Sequence, residues 1–139
     1  MEMTQRRATG SVGEMLVAAA FLKRGIPVYR PVVDVGVDLV ADINGKMQRI
    51  QVKSTVDEGR SLHIHLNRRN RSGGPSWVRY GEGELDWHAV CCLAHNYIAL
   101  IPAGRAGVWL TFEEGKAGER LADFEIDTVI SRLLEEKHD

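Results

Sequence analysis

Two short runs in the first half of the chain gather residue types suited to metal-assisted hydrolysis of a phosphodiester. Asp38 sits in GVDLV, and Gln51 and Lys53 sit in IQVKS. An aspartate offers a hard anionic oxygen and a glutamine amide a neutral one, and such oxygens suit Mg²⁺. The main-chain carbonyl of Val52, between Gln51 and Lys53, is a third candidate ligand. A lysine beside such a site can hold a phosphate, stabilise developing negative charge or help deprotonate an attacking water.

These residues need a scaffold that turns them to one side, and the sequence provides one. Val37 to Ile43 and Lys46 to Thr55 both alternate, and Asn44-Gly45 separates them. Asn-Gly is the preferred filling of a type I′ turn, where both central residues need positive φ. A tight hairpin pairs Ile43 with Lys46, Val40 with Arg49 and Asp38 with Gln51. Side chains two apart share a face. Asp38, Gln51 and Lys53 then face one way, and Leu39, Ala41, Ile43, Ile50 and Val52 form a core face. A solvated hairpin face carrying charged cross-strand pairs is the rival reading.

The spacing predicts a helix over Ser11 to Arg24, stopped by Gly25 at its C′ position. Its three consecutive alanines suit close packing on a sheet. Glu14, one turn in, supplies another carboxylate for a metal or its water, or closes a capping box with Ser11. Strands are expected over Pro27 to Val33, Ser61 to Asn67, His88 to Ala94 and Tyr97 to Pro102. A last helix is expected over Ile126 to Lys137, with Asp127 as N-cap. This order implies an α/β or α+β layer with a mixed sheet.

A Gly- and Arg-rich loop follows the fourth strand. Arg68, Arg69 and Arg71, with Arg60 and Arg79 nearby, suit phosphate contacts, and Trp77 and Tyr80 suit base stacking. A solvated loop with its aromatics folded inward is the alternative. Arg6 and Arg7 are further backbone contacts, or part of a frayed terminus. His63 and His65 share a strand face but lack a third zinc ligand. His88 and His95 carry no motif, and Asp34 and Asp42 are alternative acids near the site.

The bulk properties fit one domain over residues 1–139, with 44% apolar and 27% charged residues. Net charge is −1, but unevenly spread: Met1 to Tyr80 holds 13 Lys/Arg against 7 Asp/Glu, whereas Gly81 to Asp139 holds 5 against 12. A basic first part suits a polyanion, although segregated solvated charge gives the same counts. Cys91 and Cys92 are adjacent, unsuited to a disulfide or a CxxC knuckle, and read as buried apolar residues. No export signal or membrane-length apolar run is seen, so a cytoplasmic setting is expected.

Glu14 in a first helix, Gly36-Val37-Asp38-Leu39-Val40 entering a strand and Ile50-Gln51-Val52-Lys53 in the next together resemble the PD-(D/E)XK nuclease superfamily. The resemblance is best over Gly10 to Thr55, and is nearest to intron-type homing endonucleases, then to Holliday-junction resolvases. It implies a restriction-endonuclease-like α/β core, a mixed β-sheet flanked by helices. It also implies a Mg²⁺-dependent (or Mn²⁺-dependent) endonuclease acting on DNA. In that role Asp38 is the main metal ligand, Gln51 the second, Lys53 the catalytic lysine and Glu14 the supporting carboxylate. Two departures stand out: Gln51 replaces the usual acid, and Val37 replaces the proline of the motif. Gln51 leaves open a weakly active or inactive DNA-binding module, and the resolvase likeness leaves open a resolvase-like activity. Cutting both strands of a duplex calls for a homodimer or homotetramer.

Overall fold

The computed structural model describes residues 2–69, 77–78, 83–112 and 120–136. Helix α1 (Gln5–Leu22) leads into strand β1 (Val28–Tyr29) and the hairpin β2 (Leu39–Ile43) and β3 (Lys46–Thr55). Then come β4 (Ser61–His65), β5 (Arg68–Arg69), β6 (Trp77–Val78), β7 (Trp87–Cys92), β8 (Tyr97–Pro102) and β9 (Gly107–Thr111). A single turn α2 (Leu121–Phe124) and helix α3 (Ile126–Glu135) close the order. The main sheet has five strands in the order β1-β2-β3-β7-β8. It is mixed, because β3 and β7 run parallel while the other neighbours are antiparallel.

The hairpin follows the expected register, with Ile43 opposite Lys46 and Leu39 opposite Ile50. Asn44 (φ 54°) and Gly45 (φ 82°) take the positive φ values that the turn requires. Leu39, Ala41, Ile43 and Ile50 are buried with Ala89, Cys91 and Leu100 beneath Val17 and Phe21 of α1 and Val129 and Ile130 of α3, and Val52 packs against this layer. Each such large side chain contributes about 1.5–3 kcal/mol by leaving water. The opposite face of the sheet has its own core. Val90, Cys92, Ala99 and Ile101 meet Leu62, Val108 and Leu110 of the β4–β9 ribbon. The inner strand β7 is therefore covered on both sides, which is why its sequence is apolar without alternation.

Several expected boundaries move. Helix α1 starts at Gln5, not Ser11, because Thr4 is the N-cap and its Oγ1 accepts the Arg7 N–H at 3.2 Å. The Ser11 capping box therefore does not form, and Arg6 and Arg7 are exposed in the helix's first turn rather than in a frayed end. Lys23 is the C-cap, so Gly25 stands one residue further out than expected. The first strand shrinks to two residues, ending before Pro31, which lacks the N–H a longer ladder needs. Strand β2 begins at Leu39 rather than Val37, β4 ends at His65, and β7 runs from Trp87 to Cys92. Glu125, not Asp127, caps α3, accepting the Thr128 N–H at 3.0 Å. Strand β9 has no counterpart among the expected elements.

Candidate active site

Strand β3 carries the centre of the site. Gln51 and Lys53 project to the face opposite Ile50, and in the parallel pairing their β7 partners are His88 and Val90. Asp38 lies just before β2 and is tied to β3 twice. Its N–H donates to the Ile50 carbonyl at 2.9 Å, and its Oδ2 accepts the Val52 N–H at 2.8 Å. These two bonds hold the carboxylate beside the stretch that presents the Gln51 amide, the Val52 carbonyl and the Lys53 ammonium. Gly36 makes the approach possible: at φ 81° it turns the chain into β2, and its N–H is held by Asp34 Oδ1 at 3.2 Å.

Glu14 joins from α1, which lies unusually close to β3. A Cβ on Gly13 would stand 1.8 Å from Ser54 Oγ and 3.1 Å from Ser54 Cβ, so the missing side chain lets the helix lie this close without moving Ser54. The Gly13 carbonyl also accepts a hydrogen bond from Cys91 Sγ at 3.5 Å. Because α1 begins at Gln5, Glu14 sits mid-helix, away from any capping role, and its charge interacts with that of Asp38.

The electrostatics are those of a site short of positive charge. Burial pushes the Asp38 carboxyl above its usual range and Asp34 adds to the push; the Val52 N–H, Arg30 and Lys53 oppose it. Glu14 is raised by burial and then by Asp38, with Arg30 opposing. Burial lowers the Lys53 ammonium, and Asp38 opposes that. Two partly buried carboxyls, both raised by burial and Glu14 further by Asp38, suit a hard cation, and the available donors are oxygens. Among the described residues no three His, Cys, Asp or Glu side chains form a metal cluster, so a cation here would take amide and main-chain oxygens as well.

Two neighbours were not legible in advance. Arg30, just after β1, reaches the field of both Glu14 and Asp38. His88 is fully buried beside Gln51, and burial followed by the nearby Lys53 pushes its imidazole down to about 4, so it stays neutral. Asp42 is at the turn end of the hairpin, opposite Met47 and away from this group. Arg68, Arg69 and Trp77 are described in backbone alone, as a two-strand ribbon of β5 and β6. Arg71, Arg79 and Tyr80 lie outside the described residues. His63 and His65 do share a strand face, where the His63 ring stacks on Trp109 with centroids 4.5 Å apart. Cys91 and Cys92 are buried free thiols, as their adjacency suggested.

Comparison with known proteins agrees with this geometry. The family model described as PD-(D/E)XK endonuclease matches residues 4–120. Protein 5.3 of Escherichia phage T7 is 34% identical over 93 residues, covering 63% of this chain and 74% of the phage protein. The solved structure of the bacterial homing endonuclease I-Ssp6803I superposes with a TM-score of 0.68 at 18% identity, covering 96% of this chain and 100% of that one. The Holliday junction resolvase Hjc of Archaeoglobus fulgidus gives a TM-score of 0.50 at 13% identity, covering 88% and 95%. At those identities the two structures speak for the restriction-endonuclease-like fold alone. The family match spans α1, the hairpin and both faces of the sheet, so the chain belongs to the PD-(D/E)XK endonuclease family.

Proposed function

We propose that this nuclease is a divalent-metal-dependent endodeoxyribonuclease, with Mg²⁺ as the natural ion and Mn²⁺ as a substitute. The observation that carries the reading is the Asp38 carboxylate fixed on the Val52 N–H, next to Gln51 and Lys53. Asp38, Gln51 and the Val52 carbonyl would hold the ion. When bound, it supplies Lewis-acid polarisation of a phosphoryl oxygen and neutralises charge on the phosphate. Lys53 offers its ammonium to the same phosphate, and its burial makes that charge stronger than it would be in water. Glu14, with its raised carboxyl, would accept a proton or orient a water. The exposed Arg6 and Arg7, with Arg68, Arg69, Arg71 and Trp77, would grip the DNA backbone and bases. A homodimer or homotetramer would bring two such sites to the two strands.

Cleavage assays with Mg²⁺, Mn²⁺ or no metal, on linear duplex, four-way junction and single-stranded DNA, test this reading. Product should require metal and vanish in Asp38→Ala and Lys53→Ala proteins that remain folded. Cleavage that survives both substitutions removes the site. The neutral Gln51 favours one second reading, a DNA-binding module with little catalysis. Metal-tightened DNA binding without product over long incubation would select that reading. A strong preference for the junction would mark a resolvase-like activity.

A further inference from the structure

The ribbon of β4 and β9 has two unlike faces. Leu62, Val108 and Leu110 point into the core, so alternation turns His63, His65 and Trp109 outward. His63 and Trp109 stand directly opposite each other, their rings stacked at a centroid distance of 4.5 Å and an interplanar angle of 21°. His65 meets the same His63 ring edge-on, with centroids 4.7 Å apart. Gly107 leaves room for this row, since a Cβ there would stand 3.1 Å from His63 Nε2 and 2.9 Å from the Ile64 carbonyl. Trp109 has one ring face against His63 and is still 53% exposed, so its other face and edge meet water. An aromatic ring already held in place loses little freedom when a second flat ring settles on it.

The surrounding charge identifies that second ring. Residues 59–69 and 103–112 contain both strands and their flanks, and they hold four Arg, two His and no Asp or Glu. In a chain with 18 Lys/Arg against 19 Asp/Glu, two paired stretches free of acid suit a polyanion. The ribbon also stands on the face of the sheet that carries the candidate site. Val90 lies in the core beneath the ribbon, and its partner across the parallel pair is Lys53. Opposed side chains share a face.

Resting on the DNA-directed reading above, we propose that the outer face of the β4–β9 ribbon is a stacking platform for single-stranded DNA, with an unpaired base lying on Trp109. In a duplex both faces of each base are covered by its neighbours, so only a base outside the helix offers a free face. His63 backs the indole, His65 steadies His63, and Arg60, exposed just before β4, takes a phosphate. The platform holds a strand beside the candidate site and takes no part in the reaction. It favours substrates that carry unpaired nucleotides, such as flaps, gaps and opened junctions.

Fluorescence anisotropy in EDTA tests this on the full chain, with labelled oligo(dT), oligo(U) and a blunt DNA duplex. The native protein should bind oligo(dT). Trp109→Val, which keeps a strand former, should weaken that binding about tenfold and change duplex affinity by less than about twofold. Trp109→Phe should keep most of the affinity. Equal losses on both DNAs, no loss on either, no oligo(dT) binding by the native protein, or tighter binding of oligo(U) overturns the proposal. The native protein also gives a readout that does not depend on a variant folding. Oligo(dT) carrying one 5-iodouracil should photocrosslink to the peptide that contains Trp109, and crosslinks confined to other peptides count against the platform. Because no metal is present, the two readings fail separately. Oligo(dT) binding that depends on Trp109 in a protein that never cleaves sinks the nuclease alone. A cleaving protein indifferent to Trp109 sinks the platform alone.

Discussion

The backbone N–H of Val52 donates to Asp38 Oδ2 across 2.8 Å, so the strand that presents Gln51 and Lys53 also holds the main carboxylate in place. A carboxylate on a main-chain donor cannot swing as a free side chain does. Its geometry therefore depends on the β2–β3 register rather than on a rotamer choice.

That arrangement costs stability. Asp38 has a raised folded-state pKa, so its contribution is full below the unfolded value and is lost as pH rises through the folded one. Lys53 is lowered, so its burial penalty is present at neutral pH and relieved only above its folded value. Combining Asp38→Asn with Lys53→Met should raise the melting temperature at neutral pH by roughly 2–5 °C. Asparagine keeps an oxygen for the Val52 N–H. Each single change should lower cleavage by roughly 10³-fold. Thermal melts beside cleavage rates check this, and a lower melting temperature in the double variant contradicts it.

Gln51→Glu adds a negative charge to the proposed ligand set. Affinity for Mg²⁺ and Mn²⁺ should rise by about tenfold, since ligand charge count tunes such sites. Titration calorimetry on the DNA-free protein decides, and unchanged affinity would place Gln51 outside the coordination sphere.

Gly13→Ala should force α1 off β3, because the new methyl meets Ser54 Oγ at 1.8 Å and Ser54 Cβ at 3.1 Å. The expected loss is about 1–3 kcal/mol of stability, with a fall in cleavage as Glu14 moves. Ser54→Gly in the same chain should recover much of both. Denaturant melts that show no rescue would locate the strain elsewhere.

Arg49 clasps Asp86, with Nε to Oδ2 at 3.1 Å and its own N–H on the same oxygen at 2.8 Å. Burial raises the Asp86 carboxyl, but the Arg49 hydrogen bonds and charge overcome this and leave it lowered. A depressed acid stabilises above its unfolded pKa and loses that contribution as pH falls through the folded value. Arg49→Met should cost about 1 kcal/mol near neutrality, given the pair's partial exposure. It should also flatten the acid side of the stability profile. An unchanged acid limb would show that the pair contributes nothing.

Arg30 opposes the rise of both Glu14 and Asp38. Its removal in Arg30→Met should push those carboxyls higher still and move the acid limb of the cleavage profile to higher pH. A limb that stays put would show that Arg30 does not set the protonation of these carboxyls.

The hairpin was legible because its pattern is local: Asn44-Gly45 dictates positive φ, and alternation dictates which face is buried. From that register Asp38, Gln51 and Lys53 could be set together before any coordinates. What escaped was non-local. Strand β9 is recognisable only as the partner of β4, since Ser61 pairs with Thr111 across a long stretch of chain. His88 looks like any strand histidine until the parallel pairing sets it against Gln51. The start of α1 was hidden because Thr4 caps a turn whose residues are polar, so apolar periodicity begins well after the helix does.

The parallel pairing of β3 with β7 also bears on when the enzyme can first act. A nascent chain that has left the ribosome as far as Thr55 already holds Glu14, Asp38, Gln51 and Lys53. Yet β3 is then an open edge, without the strand that shields its flank. Only after Cys92 has emerged can that edge be zipped. The sheet around these four residues is thus closed only late in synthesis, once β7 can pair with β3.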